Sequence, residues 1–203
     1  MATSLHEQRL GAVIEHLLES RATSVLDLGC GPGELLQRLV MYPQFNRIVG
    51  IDIDTAKLNE ARLLLGLSLF GSSERVSIRC GSFEQKDAEL KGFSAATLIE
   101  TIEHIDPGRL SRVEHAVFGF MQPRLILVTT PNQEYNPLHG FSSGERRHPD
   151  HRFEWDRGKF RQWSQGVATR NGYAVEFFDI GPLDPLHGSS TQMARFNLVS
   201  NDP

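Results

Sequence analysis

Apolar positions along this chain follow two alternating rhythms. Short runs rich in β-branched residues, of the kind a strand buried on both faces needs, are separated by longer segments whose apolar residues recur every three or four positions. The first helical stripe runs Leu10, Val13, Ile14, Leu17 and Leu18, with Ser4 as its cap. Residues 23–28 then read as a buried strand, followed by Gly29-Cys30-Gly31-Pro32-Gly33 and a helix to about Val40. Residues 47–52 are the next strand, and Asp54 caps a helix carrying Ala56, Leu58, Ala61, Leu64 and Leu65. Strands at 75–80 and 95–99, a helix opened by Pro107 and a strand at 125–130 continue the alternation. Asp156 caps a helix to about Asn171, and residues 174–180 and 194–199 form the closing strands. From Pro131 to Trp155 neither rhythm holds, and so long an aperiodic stretch in a compact domain marks a functional or disordered loop. Strands alternating with helices predict one α/β domain over residues 1–203, Rossmann-like, with a mostly parallel sheet, helices on both faces and an antiparallel closing strand.

Composition narrows the class of function. A chain of 203 residues buries a proper core without disulfide or metal staples. Its formal net charge of -4 argues against a protein that wraps duplex nucleic acid, while leaving recognition of a strand end open. Cys30 and Cys80 have no paired spacing that would make a disulfide framework or a thiolate zinc site, which points to a reducing, cytoplasmic setting. No apolar run approaches the roughly 20 residues that span a bilayer, so no membrane partner is expected. The N-terminus also lacks the basic-then-apolar layout of a signal peptide.

The loop after the first strand carries the first chemistry. In Leu26-Asp27-Leu28-Gly29-Cys30-Gly31-Pro32-Gly33, glycines stand where a strand turns sharply into a helix, so backbone can approach a ligand with no Cβ in the way. The spacing is GxGxG, not the GxGxxG of dinucleotide sites. Asp52 falls at the end of the second strand, where its carboxylate can accept hydrogen bonds from both ribose hydroxyls of an adenosine moiety. A plain turn explains the glycines but not this acid. The layout resembles the class I S-adenosylmethionine methyltransferases, whose Asp-x-Gly-x-Gly-x-Gly motif and acidic residue after strand two stand here at residues 27–33 and 52. The resemblance implies that fold, S-adenosylmethionine as cofactor, and a site holding Asp27, Gly29, Gly31 and Asp52. It also implies that Gly81, Ser82 and Phe83 flank the adenine, although hydropathy alone suits Phe83 equally well to the core.

The fourth strand ends in Ile99-Glu100-Thr101-Ile102-Glu103-His104, and open α/β sheets bind their ligands at the carboxyl ends of strands. Read alone, the string is satisfied by a solvent-facing Glu103 and a packed His104. Asp150-His151-Arg152-Phe153-Glu154-Trp155 changes that weight, because its histidine is a fourth metal-ligand type beside two glutamates and an imidazole. Residues 100–104, Thr130-Pro131-Asn132-Gln133-Glu134-Tyr135-Asn136 and Arg147-His148-Pro149 with the stretch just quoted together resemble one family. It is the metal-dependent RNA 3′-terminal 2′-O-methyltransferases, which protect small RNAs in plants and animals and act in RNA repair in bacteria. The resemblance spans almost the whole chain, and the Arg147-His148 pair is closer to the bacterial members. It implies Glu100, Glu103, His104 and His151 as metal ligands and catalytic residues, residues 131–155 as the substrate and metal loop, and an RNA 3′ end as substrate. Bacterial members usually hold this domain at the end of a longer chain, so an RNA-repair partner protein or a further N-terminal domain is also implied.

The chemistry can be argued from the residues. A ribose hydroxyl is a poor nucleophile at neutral pH, and a bound divalent cation lowers its pKa as it lowers that of water. Four protein ligands plus the vicinal 2′ and 3′ hydroxyls complete an octahedron, which selects a terminal nucleotide. Two imidazoles favour manganese or cobalt over magnesium. If it is not a ligand, His104 is placed to take the proton. Arg146, Arg147, Arg152, Arg157, Lys159 and Arg161 suit a few phosphate contacts, though they suit a solvated face as well. Tyr135 or Phe141 is available to stack on the terminal base, and Phe153 and Trp155 to anchor the loop and point His151 inward. The competing reading is a metal-independent small-molecule O- or N-methyltransferase of the same fold, which a chelator would barely affect.

Overall fold

The computed structural model describes residues 4–67 and 75–199. The first strand, β1 (Ser24–Leu28), is buried along its whole length because its apolar side chains serve two cores. Val25 packs with the apolar stripes of α1 (Ser4–Glu19), α2 (Glu34–Leu39) and α3 (Thr55–Leu64) on one face of the sheet. Leu26 and Leu28 pack on the other face with α4 (Leu110–Val113), its π-helical continuation Glu114–Met121, and α5 (Arg157–Asn171). A strand covered on both sides reads as the continuous apolar run that the sequence shows. Asp54 caps α3, accepting from the N–H groups of Ala56 and Lys57, and Asp156 caps α5 through the N–H of Lys159. At the first helix the expected cap, Ser4, is itself helical, and its hydroxyl accepts from the Gln8 side chain.

Strands β2 (Arg47–Asp52), β3 (Val76–Cys80), β4 (Ala95–Ile99) and β5 (Leu125–Pro131) pair in parallel with β1 and one another, and β6 (Tyr173–Asp184) and β7 (Gly188–Leu198) close the sheet. The order is β3-β2-β1-β4-β5-β7-β6, with β7 antiparallel to both of its neighbours. Chain order reverses between β1 and β4, so a crevice opens beyond their carboxyl ends, the place where such sheets bind ligands.

Two departures from the hydropathy pattern matter for that crevice. The last strand begins at Gly188, not 194, because Ser189, Ser190, Thr191 and Gln192 are polar yet buried. Their backbone pairs with the end of β5, Gln192 opposite Thr130 and Thr191 opposite Pro131, which satisfies groups that would otherwise be costly to bury. The aperiodic stretch is also ordered at its start, where Gln133–His139 makes a 3-10 helix capped by the Asn132 side chain. A bridge between Asn132 and Trp155 closes the neck of the loop. Among the described residues no helix is long and apolar enough to cross a membrane.

Candidate active site

The crevice is a cleft of about 640 Å³ running from Asp52 at one end to His151 at the other. Its first half is made of backbone. Gly29 has φ +83 and a Cβ there would meet the Thr101 side chain at 2.6 Å, so only glycine fits between β1 and the turn after β4. The Gly31 N–H donates to Asp52 Oδ2 at 2.9 Å, and the Asp54 N–H donates to Oδ1 at 2.9 Å. These bonds fix the acid while leaving lone pairs free toward the cleft. Asp27 is buried beneath this turn with the Thr97 hydroxyl donating to it at 2.8 Å, and burial pushes its carboxyl up to about 7. Ser82 and Phe83 line the same half, and Phe83 also packs in the core.

The second half is made of polar side chains, from the wholly buried Glu103 to the exposed His104. Glu100 lies at φ +48, a backbone rarely adopted outside glycine, held by its N–H donating to the carbonyl and hydroxyl of Thr129. Its carboxylate meets Arg9 of α1 at 3.0 Å and accepts from the Thr129 hydroxyl at 3.1 Å. Burial raises its pKa, and Arg9 opposes the rise. Glu103 is wholly buried. Its Oε2 accepts from the Thr130 hydroxyl at 3.0 Å, whereas Oε1 has no hydrogen-bond partner among the described residues. Burial, and then the neighbouring Glu100, drive its pKa well above the carboxylate range. A carboxylate oxygen left bare in such surroundings is what a bound cation would neutralise.

His104 follows in the same turn, Ile102–His104, and faces His151 across the cleft with ring centroids 4.8 Å apart. Partial desolvation, then His151 and His148, lowers its pKa. Ligand atoms of His104, His148 and His151 lie within 4.8 Å of one another. Among the described residues these three imidazoles are the group close enough to share an ion, and His148, absent from the expected ligand set, is suggested in the sequence only by its place in the Arg-His-Pro-Asp-His string. Glu100 and Glu103 stand outside that cluster, Glu100 turned to Arg9 and Glu103 beneath.

His151 points inward and is 7% exposed. Phe153 and Trp155 are buried and stack with centroids 4.2 Å apart, and Trp155 packs on Trp163 of α5. The Arg152 N–H donates to the Glu103 carbonyl at 2.7 Å, tying the loop to the turn that carries the glutamate. His151 Nδ1 meets Glu154 Oε1 at 2.6 Å. Burial opposes ionisation of Glu154, but hydrogen bonds from His151, Asn136 and the Arg147 backbone hold its pKa low.

Comparison with known proteins agrees with this geometry. A family profile described as a methyltransferase domain matches residues 25–124. A small RNA 2′-O-methyltransferase of Rattus norvegicus is 38% identical over 201 residues, covering 95% of this chain and 50% of the relative. The crystal structure of the methyltransferase domain of bacterial CtHen1-CN superposes with a TM-score of 0.86 at 40% identity, covering 96% of this chain and 100% of that one. The chain belongs to the Hen1 methyltransferase-domain family. A second Hen1 structure, that of the small RNA methyltransferase HEN1, gives a TM-score of 0.89 at 31% identity and covers 28% of that chain. The chain spans about half the length of the rat relative. Its fold is the Rossmann-like fold of S-adenosylmethionine-dependent methyltransferases.

In this Hen1 domain the expected cofactor residues Asp27, Gly29, Gly31, Asp52, Ser82 and Phe83 line or brace one half of the cleft. Of the expected basic contacts, Arg147 and Arg157 are turned inward. Arg147 donates to Asn136, Asn132 and Ser190, and Arg157 pairs with Glu134. Arg152 stays exposed, and Arg161 lies over the Phe177 ring. Sequence reading missed Arg9, Thr129, Thr130 and Asn136, all partners of the acids across long chain separations.

Proposed function

We propose that this Hen1 domain transfers the methyl group of S-adenosylmethionine to the 2′-hydroxyl of the 3′-terminal nucleotide of RNA, with a divalent metal held by Glu100, Glu103, His104 and His151. The observation that carries the proposal is the buried Glu103 Oε1, without a hydrogen-bond partner among the described residues, near the partly buried Glu100 carboxylate and in the same turn as His104, whose ring faces His151 across the cleft. Two carboxylates and two imidazoles are a donor set for manganese, cobalt or magnesium, and Glu103 in particular calls for a cation. When bound, the ion would supply acidity to the ribose hydroxyls and grip both of them. The chain's own residues supply the rest. Asp52 and the turn at Gly31 orient the adenosine end, which aims the sulfonium methyl along the cleft. Methyl transfer from a cationic sulfur needs alignment and exclusion of water more than charge stabilisation. His104, its pKa lowered, is neutral at pH 7 and keeps a lone pair on its ring toward the acceptor end.

Residues 131–155 act as the substrate and metal loop of a domain occupying residues 1–203, with exposed Arg152 available to the terminal phosphate and half-buried Tyr135 to the base. The Arg147-His148 pair supports a bacterial, RNA-repair setting, in which a partner protein delivers ends with both hydroxyls free. The two free cysteines support a reducing, cytoplasmic location. The test uses labelled S-adenosylmethionine and a short RNA, with Mn2+ or with EDTA. Label is expected on RNA ending in a 2′,3′-diol and lost with EDTA, with a 2′-deoxy end and with a 3′-phosphate. Transfer that survives EDTA would overturn the metal assignment, and transfer to a 2′-deoxy end would overturn the acceptor.

A further inference from the structure

Glu154 does not line the cleft, yet its side chain is 1% exposed and, among the described residues, every hydrogen bond it makes is to a nitrogen. We propose that Glu154 is a positioning residue that fixes the tautomer of His151, leaving the Nε2 lone pair as the one available to a metal, and so sets metal affinity. This rests on the metal reading given above.

The argument is one of donors and acceptors. Glu154 Oε1 accepts from the Arg147 backbone N–H at 2.7 Å and meets His151 Nδ1 at 2.6 Å. Oε2 accepts from Asn136 Nδ2 at 2.6 Å. The Asn136 amide cannot turn round, because its Oδ1 is held by Arg147 Nε at 2.6 Å. Arg147 is in turn anchored to the Asn132 carbonyl at 2.6 Å and to the Ser190 carbonyl at 2.9 Å. A carboxylate only accepts, so the proton of a neutral His151 must lie on Nδ1 and its lone pair on Nε2. His148 is arranged the other way. Its Nδ1 accepts from the Asp150 N–H at 3.1 Å, which puts the proton on Nε2 and leaves that nitrogen a donor. Of the two loop imidazoles in the cluster, only His151 is therefore prepared to be a ligand. Ligand histidines backed by a carboxylate bind metal more tightly, and loss of the backing group typically weakens affinity 10- to 100-fold.

Glu154→Gln keeps the shape but replaces one acceptor oxygen by an NH2 group, so one of the three converging N–H groups must face another donor. Mn2+ binding to the full chain is followed by electron paramagnetic resonance for wild type, Glu154→Gln, His151→Ala and the double variant, and the His151 ring is followed by 15N NMR in metal-free wild type. We expect an Nδ1–H tautomer in the metal-free protein. Affinity should be about 10- to 100-fold weaker in Glu154→Gln, with no further weakening when that change is added to His151→Ala. A merely structural role would weaken both backgrounds alike. An Nε2–H tautomer in wild type, an affinity in Glu154→Gln within about twofold of wild type, or equal losses in the two backgrounds overturns the proposal. Failure of the wild type to bind Mn2+ while His151 is Nδ1–H removes the metal reading itself, and the NMR result tells the two failures apart.

Discussion

At β1 and β2 the chain meets its cofactor with backbone: a glycine turn at φ +83 and a carboxylate braced by two main-chain N–H groups. At β4 and β5 it uses side chains, one wholly and one partly buried glutamate and two imidazoles; Arg9 and Thr130, distant in sequence, hold the glutamates, and Glu154, three residues on, holds His151. The first arrangement is local, self-supporting and satisfied without a ligand. The second leaves Glu103 Oε1 without a hydrogen-bond partner among the described residues and both carboxyls with raised pKa values, so its charge is balanced by a proton or, in the proposed function, by a cation. In the proposed function such a half is a gate on chemistry, and the other half a holder. Breaking one should leave the other nearly untouched.

The largest effect expected is at Glu103. Glu103→Gln keeps the Thr130 contact but removes the charge, and methyl transfer to RNA should fall at least about 1000-fold, equivalent to more than about 4 kcal/mol. Affinity for S-adenosylmethionine, measured by calorimetry, should stay within about twofold of wild type. A parallel loss of cofactor affinity would show that the two halves are one unit.

Next comes pH, acting on the holder. Asp27 sits at about 7 against an ordinary 3.8, chiefly through burial, with the Thr97 hydroxyl opposing and Asp52 adding. The folded protein keeps this proton where the unfolded chain has released it, so its contribution to stability falls as pH rises from about 4 to about 7 and is flat above. Asp27→Asn has no such slope. In urea unfolding without cofactor, the stability gap should move in the variant's favour by about 4 kcal/mol from low to high pH across that window. A gap independent of pH would mean that Asp27 is ionised throughout.

The same contrast explains what could be read from the sequence. The parallel strands, the GxGxG turn and Asp52 were legible because each is written in a few consecutive residues and follows from periodicity or backbone freedom. Glu100, Glu103, His104 and His151 were legible as ligand types in two short strings. Their partners were not. Arg9 lies beside Leu10 in an ordinary amphipathic helix, and nothing local marks it as the counter-charge of Glu100. Ser189 to Gln192 read as loop, since a polar run is buried only when long-range strand pairing satisfies it. Arg147 and Arg157 looked like phosphate contacts, but the buried acceptors at Asn136 and Ser190 and the Glu134 carboxylate claim them.

Arg9 tests the gate from outside the chemistry. Arg9→Met should leave Glu100, 20% exposed, without its cation and destabilise the metal-free protein by about 2 kcal/mol, toward the lower end for a broken buried pair because Glu100 retains some solvent. Saturating Mn2+ should restore part of that loss in thermal unfolding, since a cation bound at the carboxylates replaces the missing charge. Equal destabilisation with and without Mn2+ would place the ion away from Glu100.

The smallest effect distinguishes ions. Magnesium is bound best by oxygen and gives up its water reluctantly, whereas manganese accepts imidazole readily. His151 presents its Nε2 from a rigid network, and His104 faces it at 4.8 Å, so half of the proposed donor set is nitrogen. Methyl transfer at saturating metal should then be about tenfold faster with Mn2+ than with Mg2+, near 1.4 kcal/mol. His104→Asp, which trades an imidazole for oxygen while keeping four ligands, should narrow the ratio toward one by slowing the Mn2+ reaction more than the Mg2+ reaction. Equal rates in wild type would mean that the imidazoles orient the acceptor without touching the ion, and the acceptor half would then rest on its carboxylates alone.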